Sequence, residues 1–445
     1  MASSLVSVHT FSMPLSNQMI QVVLSRLTHV AGVVIVLFFG GTLRGGESIH
    51  LHSKQITFGP KNHFFGYIGH VQNIPWNGGG RYILAMRTSF QDHLPDASEP
   101  ADIILIDTKK QYEVTKIAET RAWNPQQGTM FYWNPEAPST QFFFNDRDPN
   151  SGRVFCVLFD LSKPEGKRRI REFRFENTPF GNSGVAQQGG AFLGINYGRL
   201  DWLRRVTGYK GAYDWARGVR HPDYDGIFKV DTATGDSRLL VSFKTLADLL
   251  RPEISEIEHT ALFINHTLWN REGDRIFFFV RGNFGNRDTR INASFVMDAS
   301  GGNLTRMKQH IGGHPEWDYG HRMIGREKDR QILFDTDRQQ VVGQLATPEV
   351  IPDPEGDISL SPDGDWFVNG YKDRAAASNF YVVYRRSDGA SVRSSGYSIG
   401  SWLSGDLRQD PSPCWNRDSN QLLVPGLATD GKSRQLFIIT VETGP

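Results

Sequence analysis

One unit recurs along most of this chain, and a repeat of this kind restricts the fold more than any local pattern does. The unit is a short strand ending in an aromatic residue, a turn of the Asn/Ser-x-Asp-Gly kind, an apolar strand and then a further strand pair. Clear copies are NIPWNGGGRYILAMRT from Asn73, HTLWNREGDRIFFFVRG from His266 and SPCWNRDSNQLLVPG from Ser412. A module that cannot bury its apolar faces alone must stack against copies of itself.

Counting the copies gives seven modules. Their turn-side anchors are Trp76, Trp133, approximately Gln188, Trp269, Trp317, Leu360 and Trp415. Aromatic residues at 12%, with 45 Gly and 22 Pro, favour many short strands and tight turns. The sequence therefore predicts an all-β protein, a seven-bladed β-propeller. A two-domain β-sandwich is the alternative, but it does not explain a unit repeated from end to end.

The N-terminal segment differs from the repeats. The apolar run VAGVVIVLFFGG from Val30 follows Arg26 and precedes small residues, which is typical of a signal peptide and shorter than a spanning helix. We expect residues 1–46 to be a signal peptide, with an uncleaved N-terminal anchor as the alternative, and 47–445 to be one propeller domain. A periplasmic or secreted location follows from the first interpretation.

Two stretches exceed the length that a blade needs. Residues 198–224, rich in Arg, Gly and aromatic side chains, are expected to cap one face, and 243–260 has the apolar spacing of a surface helix. The strand-like KQITFG from Lys54 is predicted to join the last blade beside RQLFIITV from Arg434 and so close the ring.

The innermost strands of a propeller line a central channel, so the residues at their starts converge there. Three residues before each anchor stand Asn73, Met130, Val185, His266, His314, Asp357 and Ser412. His70, Gln72 and Asp410 lie near equivalent places. Polar side chains often line such channels only to bind water, but titratable groups that converge in a concave site are also the usual sign of a functional site.

Three segments resemble a known family: INHTLWNREGDRIFF from Ile264, NLTRMKQHIGGHPEW from Asn303 and LRQDPSPCWNRDSNQLLVPG from Leu407. In order and spacing they are similar to blades of the oligogalacturonate lyases, polysaccharide lyase family 22. The turn Ser-Pro-Asp-Gly at Ser361 to Gly364 is more general, since many TolB-like propellers share it. The resemblance covers the C-terminal half well and the first blades loosely. It implies β-elimination with a histidine base and a manganese ion held mainly by histidines.

Carried over by position, the resemblance makes His266 the catalytic base and His314 a metal ligand. The last blade departs from the family, because Asp410 and Ser412 stand where the family has two ligand histidines, and the family's ligand glutamine falls on Leu407. Asp357 replaces another family histidine. His314, Asp357 and Asp410 together predict an oxygen-rich site for manganese or calcium.

If no metal binds, an arginine must neutralise the carboxylate of the substrate. The candidates are Arg217 and Arg220 in the long insertion, Arg147 and Arg281. We expect His70, Gln72, Asn73, Gln409 and Arg281 to contact the substrate.

Two function classes stay open on this sequence. The first is an exported lyase that cleaves oligosaccharides containing a uronic acid, and the second is a non-catalytic TolB-like propeller that binds a glycan or a protein partner. The formal net charge of +1 gives no sign of nucleic-acid binding. No zinc-type Cys/His spacing occurs, so structural zinc is not supported.

Overall fold

The computed structural model describes residues 48–66 and 73–444, so the predicted signal peptide lies outside the described residues. The first described strand is β1 (Ser48–Gln55). Four antiparallel strands then form blade one: β2 (Asn62–Phe64), β3 (Tyr82–Thr88), β4 (Ala101–Asp107) and β5 (Glu113–Thr120). Blade two contains β6 (Tyr132–Trp133), β7 (Gln141–Arg147), β8 (Val154–Asp160) and β9 (Arg169–Phe173).

The two long insertions occur within blade three and between blades three and four. Blade three contains β10 (Gly181–Val185), β11 (Ala191–Ile195), β12 (Gly226–Asp231) and β13 (Ser237–Ser242), with helix α1 (Tyr197–Leu203) and the 3-10 helix Arg205–Thr207 between β11 and β12. Helix α2 (Phe243–Leu250) and the 3-10 helix Ser255–His259 follow β13. Blade four contains β14 (Phe263–Trp269), β15 (Arg275–Gly282), β16 (Ile291–Asp298) and β17 (Thr305–Arg306).

Three more sheets complete the set of seven. Blade five contains β18 (Glu316–Trp317), β19 (Arg322–Glu327), β20 (Arg330–Asp335) and β21 (Gln340–Gln344). Blade six contains β22 (Asp357–Leu360), β23 (Trp366–Asp373), β24 (Ser378–Arg385) and β25 (Ser391–Arg393), and β26 (Tyr397–Ser398) pairs with β24. Blade seven contains β27 (Cys414–Trp415), β28 (Gln421–Leu427), β29 (Arg434–Gly444) and β1. The prediction of an all-β, seven-bladed β-propeller is confirmed.

Both ends of the described chain build the seventh blade. Strand β1 runs antiparallel to β29, with Lys54 opposite Ile438 and Gln55 opposite Phe437. The backbone N–H of Ile56 continues the pairing by donating to the carbonyl of Leu436 at 2.9 Å. The segment from Lys54 therefore closes the ring beside the strand that the sequence predicted for it.

Four tryptophan anchors make the same hydrogen bond from the indole to the backbone of the preceding blade. The indole Nε1 of Trp269 donates to the carbonyl of Gly184 at 3.1 Å, and that of Trp317 donates to the carbonyl of Leu268 at 2.9 Å. Trp133 and Trp415 do the same toward Pro75 and Ser359. Each indole thus buries an aromatic ring and satisfies a backbone carbonyl of the preceding inner strand.

The asparagine after the anchor explains why the turn follows it. In Asn270 the side-chain Oδ1 accepts the backbone N–H of Arg275 at 2.9 Å, and Asn416 accepts that of Gln421 at 3.0 Å. Because an Asn side chain can take the place of a backbone acceptor, the pair Trp-Asn ends the inner strand and starts the turn.

Blade three corrects one part of the predicted register. Its turn closes between the N–H of Ala186 and the carbonyl of Ala191, so the anchor is Val185 rather than Gln188. The residue three positions earlier is Asn182, not Val185. The prediction erred because this blade has no tryptophan to mark its anchor. Its inner strand also has a β-bulge between Asn182 and Gly184.

The first insertion is fixed over blades two and three. Tyr197 and Tyr209 stack with ring centroids 4.1 Å apart. The hydroxyl of Tyr197 donates to the carbonyl of Asn182 at 2.9 Å, and that of Tyr209 accepts from Nδ2 of Asn145 at 3.0 Å. Since Asn182 starts an inner strand, the insertion covers that side of the channel mouth. No helix in the described part of the chain is long and apolar enough to cross a membrane.

Candidate functional site at the entrance face

The inner strands all begin at one face of the ring, which we call the entrance face; the Trp-Asn turns lie at the opposite turn face. In an antiparallel four-stranded sheet, the loop between the second and third strands returns to the entrance face. The connections before β18 and β27, the end of β15 and the end of β23 therefore meet the starts of the inner strands. This topology brings together side chains that are far apart in sequence.

His266 and His314 are brought together as the repeat predicted. Their ring centroids are 5.7 Å apart, and His266 also packs edge-on against Phe279 at 5.6 Å. His266 is 8% exposed and has a positive φ of 55°, like Met130 and Ser412 at equivalent positions. A left-handed backbone at a non-glycine residue costs free energy, so its recurrence marks these strand starts as tightly determined by their surroundings.

His314 forms an ion pair with Asp357, as Nδ1 lies 3.0 Å from Oδ1. Burial lowers the pKa of His314, but the Asp357 carboxylate more than offsets this, and the net shift is upward. Burial raises the pKa of Asp357, yet His314 and the backbone N–H of Ser412 hold it below its usual value. The His314 side chain keeps 28% of its surface exposed, so a ligand can reach this charged pair.

Asp410 belongs to a different set of contacts. Its Oδ1 lies 3.3 Å from Nζ of Lys372, and its Oδ2 lies 3.0 Å from Nε of Arg408. Gln126, from the connection between blades one and two, donates to Oδ2 at 3.3 Å and accepts from Nη2 of Arg408 at 2.7 Å. Burial lowers the pKa of Lys372, an effect that Asp410 only partly offsets. One carboxylate thus holds two cationic side chains at the entrance face.

These contacts do not fit the predicted manganese or calcium ion. His314 and Asp357 face each other, and both oxygens of Asp410 are occupied by cationic groups that would repel a metal. Within residues 48–66 and 73–444, no three His, Cys, Asp or Glu side chains are arranged to hold a metal ion. The ammonium of Lys372 and the guanidinium of Arg408 place positive charge beside Asp410.

A cavity of about 260 Å³ opens beside these residues. Its lining includes His314, Asp357, Lys372, Arg408 and Asp410. The exposed Arg374, on the loop after β23, also lines it. This volume suits a small ligand of about one six-membered ring, and the cationic groups in the lining favour an anionic one.

The predicted arginines are placed differently from one another. Arg281 is buried near the site: its Nη1 donates to Asn265 at 3.1 Å and its Nε to Asn292 at 2.8 Å. Its charge is close enough to oppose protonation of His314. Arg217 lies exposed over the ring of Trp202, 4.6 Å from its centroid.

Arg220 and Arg147 have no contact with His266 or His314 among the hydrogen bonds and ion pairs described for residues 48–66 and 73–444. Arg220 is exposed and offers its carbonyl to Arg199, and Arg147 donates to the carbonyl of Ala97. Neither Arg217 nor Arg220, which were predicted to be catalytic, takes part in the ion pairs of His314 and Asp410. Buried Arg199 holds their segment of the insertion by donating to the carbonyl of Leu262, just before β14.

The predicted substrate-binding residues differ in position and in burial. His70 and Gln72 lie outside the described residues. Asn73 is buried, three residues before Trp76, which makes an isolated bridge to Ile83. Gln409 is 1% exposed, and its amide oxygen and nitrogen face no hydrogen-bond partner among the described residues. It lines a narrow cavity of about 30 Å³ beside Arg434, enough for about two buried waters.

Three residues of the site were missed by the sequence reasoning. Lys372 and Arg408 were not named, and His310 was given no role, although its ring lies 6.2 Å from that of Phe279 beneath His266. A signal for Lys372 was present: it stands 12 residues after the anchor Leu360, as Arg281 stands 12 residues after Trp269. Arg408 lies in a connection without a repeat, so no periodic pattern marks it.

The fold and this cluster define a seven-bladed β-propeller with a charged cleft on the entrance face. The sequence matches no protein-family profile and no curated protein. Among solved structures the chain is similar to the oligogalacturonate lyase from Vibrio parahaemolyticus, with a TM-score of 0.56, 12% identity, and coverage of 89% of this chain and 98% of that chain. The resemblance to the oligogalacturonate lyases is therefore confirmed for the fold.

Other propellers are also similar to this chain. The β-propeller domain of the Trilobed protease from Pyrococcus furiosus gives a TM-score of 0.45 at 12% identity, covering 86% of this chain and 98% of that chain.

Proposed function

We propose that the entrance face binds an oligosaccharide containing a uronic acid and cleaves it by β-elimination. The observation that carries this proposal is the juxtaposition of His266 with His314, 5.7 Å apart between ring centroids, beside a cavity lined by Lys372 and Arg408. The similarity in fold to an oligogalacturonate lyase supports the same choice of reaction. The predicted signal peptide agrees with action in the periplasm or outside the cell.

The reaction has three chemical requirements. A base must remove the proton at C5, and the electron pair of that C–H bond forms the C4=C5 double bond. The C4–O bond then breaks, and the departing oxygen takes a proton. Because the carbanion that develops at C5 is stabilised only when the adjacent carboxylate is neutralised, a cationic group must lie against that carboxylate.

The residues of the site can meet each requirement. His266 is the base in its neutral form. Lys372 and Arg408 neutralise the substrate carboxylate, since two cations share the single carboxylate of Asp410. His314, kept charged to higher pH by Asp357, donates a proton toward the departing oxygen. No step requires a metal ion.

The test is to incubate the purified protein with a panel of uronate oligosaccharides and follow ultraviolet absorbance of the unsaturated product. His266→Asn is the informative variant, since Asn tolerates a positive φ and cannot act as a base at neutral pH. We expect its rate to fall by about 10²- to 10⁴-fold. The matched control is His321→Asn, whose imidazole pairs with Asp337 at the turn face, and it should keep the wild-type rate.

Two results would contradict this proposal. Full activity in His266→Asn would remove His266 from the role of base. A wild-type protein that neither produces absorbance nor binds any uronate would overturn the function as a whole.

Binding of an acidic glycan without catalysis is the second candidate. The burial of His266, which is 8% exposed, favours it because a base must reach the substrate proton. In that case calorimetry would detect binding of the same uronates while absorbance stays constant.

A further inference from the structure

A narrow cavity lies at the closure of the ring, where blade one meets blade seven. Its walls include Phe64 on β2, Leu423 on β28 and Leu436 on β29, and the connection before β27 adds Gln409. We call it the closure cavity. Its volume is about 30 Å³, so it can hold a small ion or one to two water molecules but no sugar ring.

The side chain of Gln409 reaches the closure cavity without a protein partner. Its backbone is fixed, since the N–H donates to the carbonyl of Trp402 at 2.9 Å and the carbonyl accepts from Nδ2 of Asn379 at 3.4 Å. The residue is 1% exposed, and neither atom of its amide group has a hydrogen-bond partner among the described residues. Because a buried amide without a partner costs free energy, its N–H groups favour an acceptor inside the cavity.

Arg434 brings a buried positive charge to the same cavity. Its Nη1 and Nη2 donate to the carbonyls of Pro125 and Leu407 at 3.5 and 3.3 Å, whereas Nε has no partner among the described residues. Within residues 48–66 and 73–444 it forms no ion pair. Burial lowers the pKa of Arg434 to about 10, so the guanidinium stays charged at neutral pH. A buried cation that only neutral carbonyls contact favours an anion beside it.

The other charged groups around the closure cavity do not supply that anion. Asp410 is the one carboxylate among the described residues of the lining, and its oxygens already contact Lys372 at 3.3 Å and Arg408 at 3.0 Å. Arg408 lines the cavity as well, so two guanidinium groups share this wall with one carboxylate. The excess of one positive charge attracts a monovalent anion and repels a metal cation.

We propose that the closure cavity binds a monovalent halide ion, chloride, between Arg434 and the amide of Gln409. Guanidinium and amide N–H groups are the donors that such an ion needs, and a halide is only slightly larger than a water molecule. Water alone would satisfy the amide but would leave the charge of Arg434 without an anion. The ion joins blade one, blade seven and the connection before β27, and this role is independent of uronate cleavage.

Thermal denaturation of the purified protein tests this site, with sodium chloride replacing sodium gluconate at constant ionic strength. We expect the melting temperature of the wild type to rise by about 2–5 °C and to saturate, because chloride binds only the folded state. Gln409→Glu places a carboxylate in the cavity, where it pairs with Arg434 and repels chloride, so its rise should stay below about 1 °C. Gln340→Glu is the matched control: it adds the same charge at an exposed position of blade five and should keep the wild-type rise.

Crystals of the wild type grown in bromide give a second measurement, which does not depend on the folding of a variant. Anomalous scattering should locate a bromide ion beside Nε of Arg434 and the amide of Gln409. Equal melting temperatures of the wild type in chloride and gluconate, or no bromide in the cavity, would overturn the proposal and leave water as the occupant. An equal rise in Gln409→Glu and the wild type would place the ion elsewhere and would also overturn it.

Discussion

The two ends of each inner strand differ in how much they vary from blade to blade. At the turn face the same contact recurs, with an indole such as that of Trp269 or Trp317 donating to the backbone of the preceding blade. At the entrance face the first residue varies between blades, as in Met130, Asn182, His266 and Asp357. The repeated end stabilises the ring, and the varied end holds the charged residues of the candidate site.

The largest expected effect lies at the turn face. Trp317→Ala removes a fully buried indole and leaves the carbonyl of Leu268 without its donor, which should lower the free energy of unfolding by about 3–5 kcal/mol. Trp317→Phe keeps an aromatic ring but loses the N–H and part of the buried indole, so its loss should be smaller, about 1–3 kcal/mol. Denaturant titration measures both. Equal losses in the two variants would mean that the hydrogen bond, not packing, holds the blades together.

A smaller effect is expected at the entrance face from Asp357→Asn. It removes the carboxylate that keeps His314 charged, so the pKa of His314 should fall, and stability near pH 5 should drop by about 1–2 kcal/mol, since His314 is 28% exposed. Nuclear magnetic resonance titration of the imidazole and denaturation at several pH values are the measurements. A pKa of His314 that stays unchanged would show that Asp357 does not govern it.

The sign of this pH dependence follows from the two shifts. The pKa of Asp357 is lowered from 3.8, so its contribution is present above about pH 4 and is lost as pH falls through the lowered value. The pKa of His314 is raised from 6.5, so its contribution is present below that pH and is lost as pH rises through the raised value. The difference in stability between the wild type and Asp357→Asn should therefore be largest between about pH 4 and 6.5.

The smallest expected effect is that of metal ions. Because Lys372 and Arg408 occupy Asp410, adding manganese or calcium at about 1 mM, or a chelator, should move the melting temperature by less than about 1 °C. A clear rise with manganese alone would contradict this assignment of the charges.

The sequence predicted the fold well because its signal is local and repeated. A Trp followed by Asn specifies the end of a strand and the start of a turn within a few residues, and the error in blade three arose where that signal is missing. Prediction of the site was partial. His266, His314 and Asp357 share a position in the repeat and were found together.

Residues outside that position depend on how separate blades meet. Arg408 reaches Asp410 from a connection of irregular length, and the path of the long insertion is set by buried contacts such as that of Tyr197 with Asn182. No spacing along the chain records such approaches. The same reason explains why Arg217 and Arg220, which were chosen from composition alone, take no part in the ion pairs of His314 and Asp410.

The shared seventh blade has a consequence for synthesis. Strand β1 precedes its partner β29 by most of the described chain, so β1 stays unpaired during synthesis until β29 has been made. During that time an unpaired strand edge is open to other chains, and contacts between such distant segments form slowly. A nascent chain that has β1 but not yet β29 is therefore exposed to aggregation through this edge.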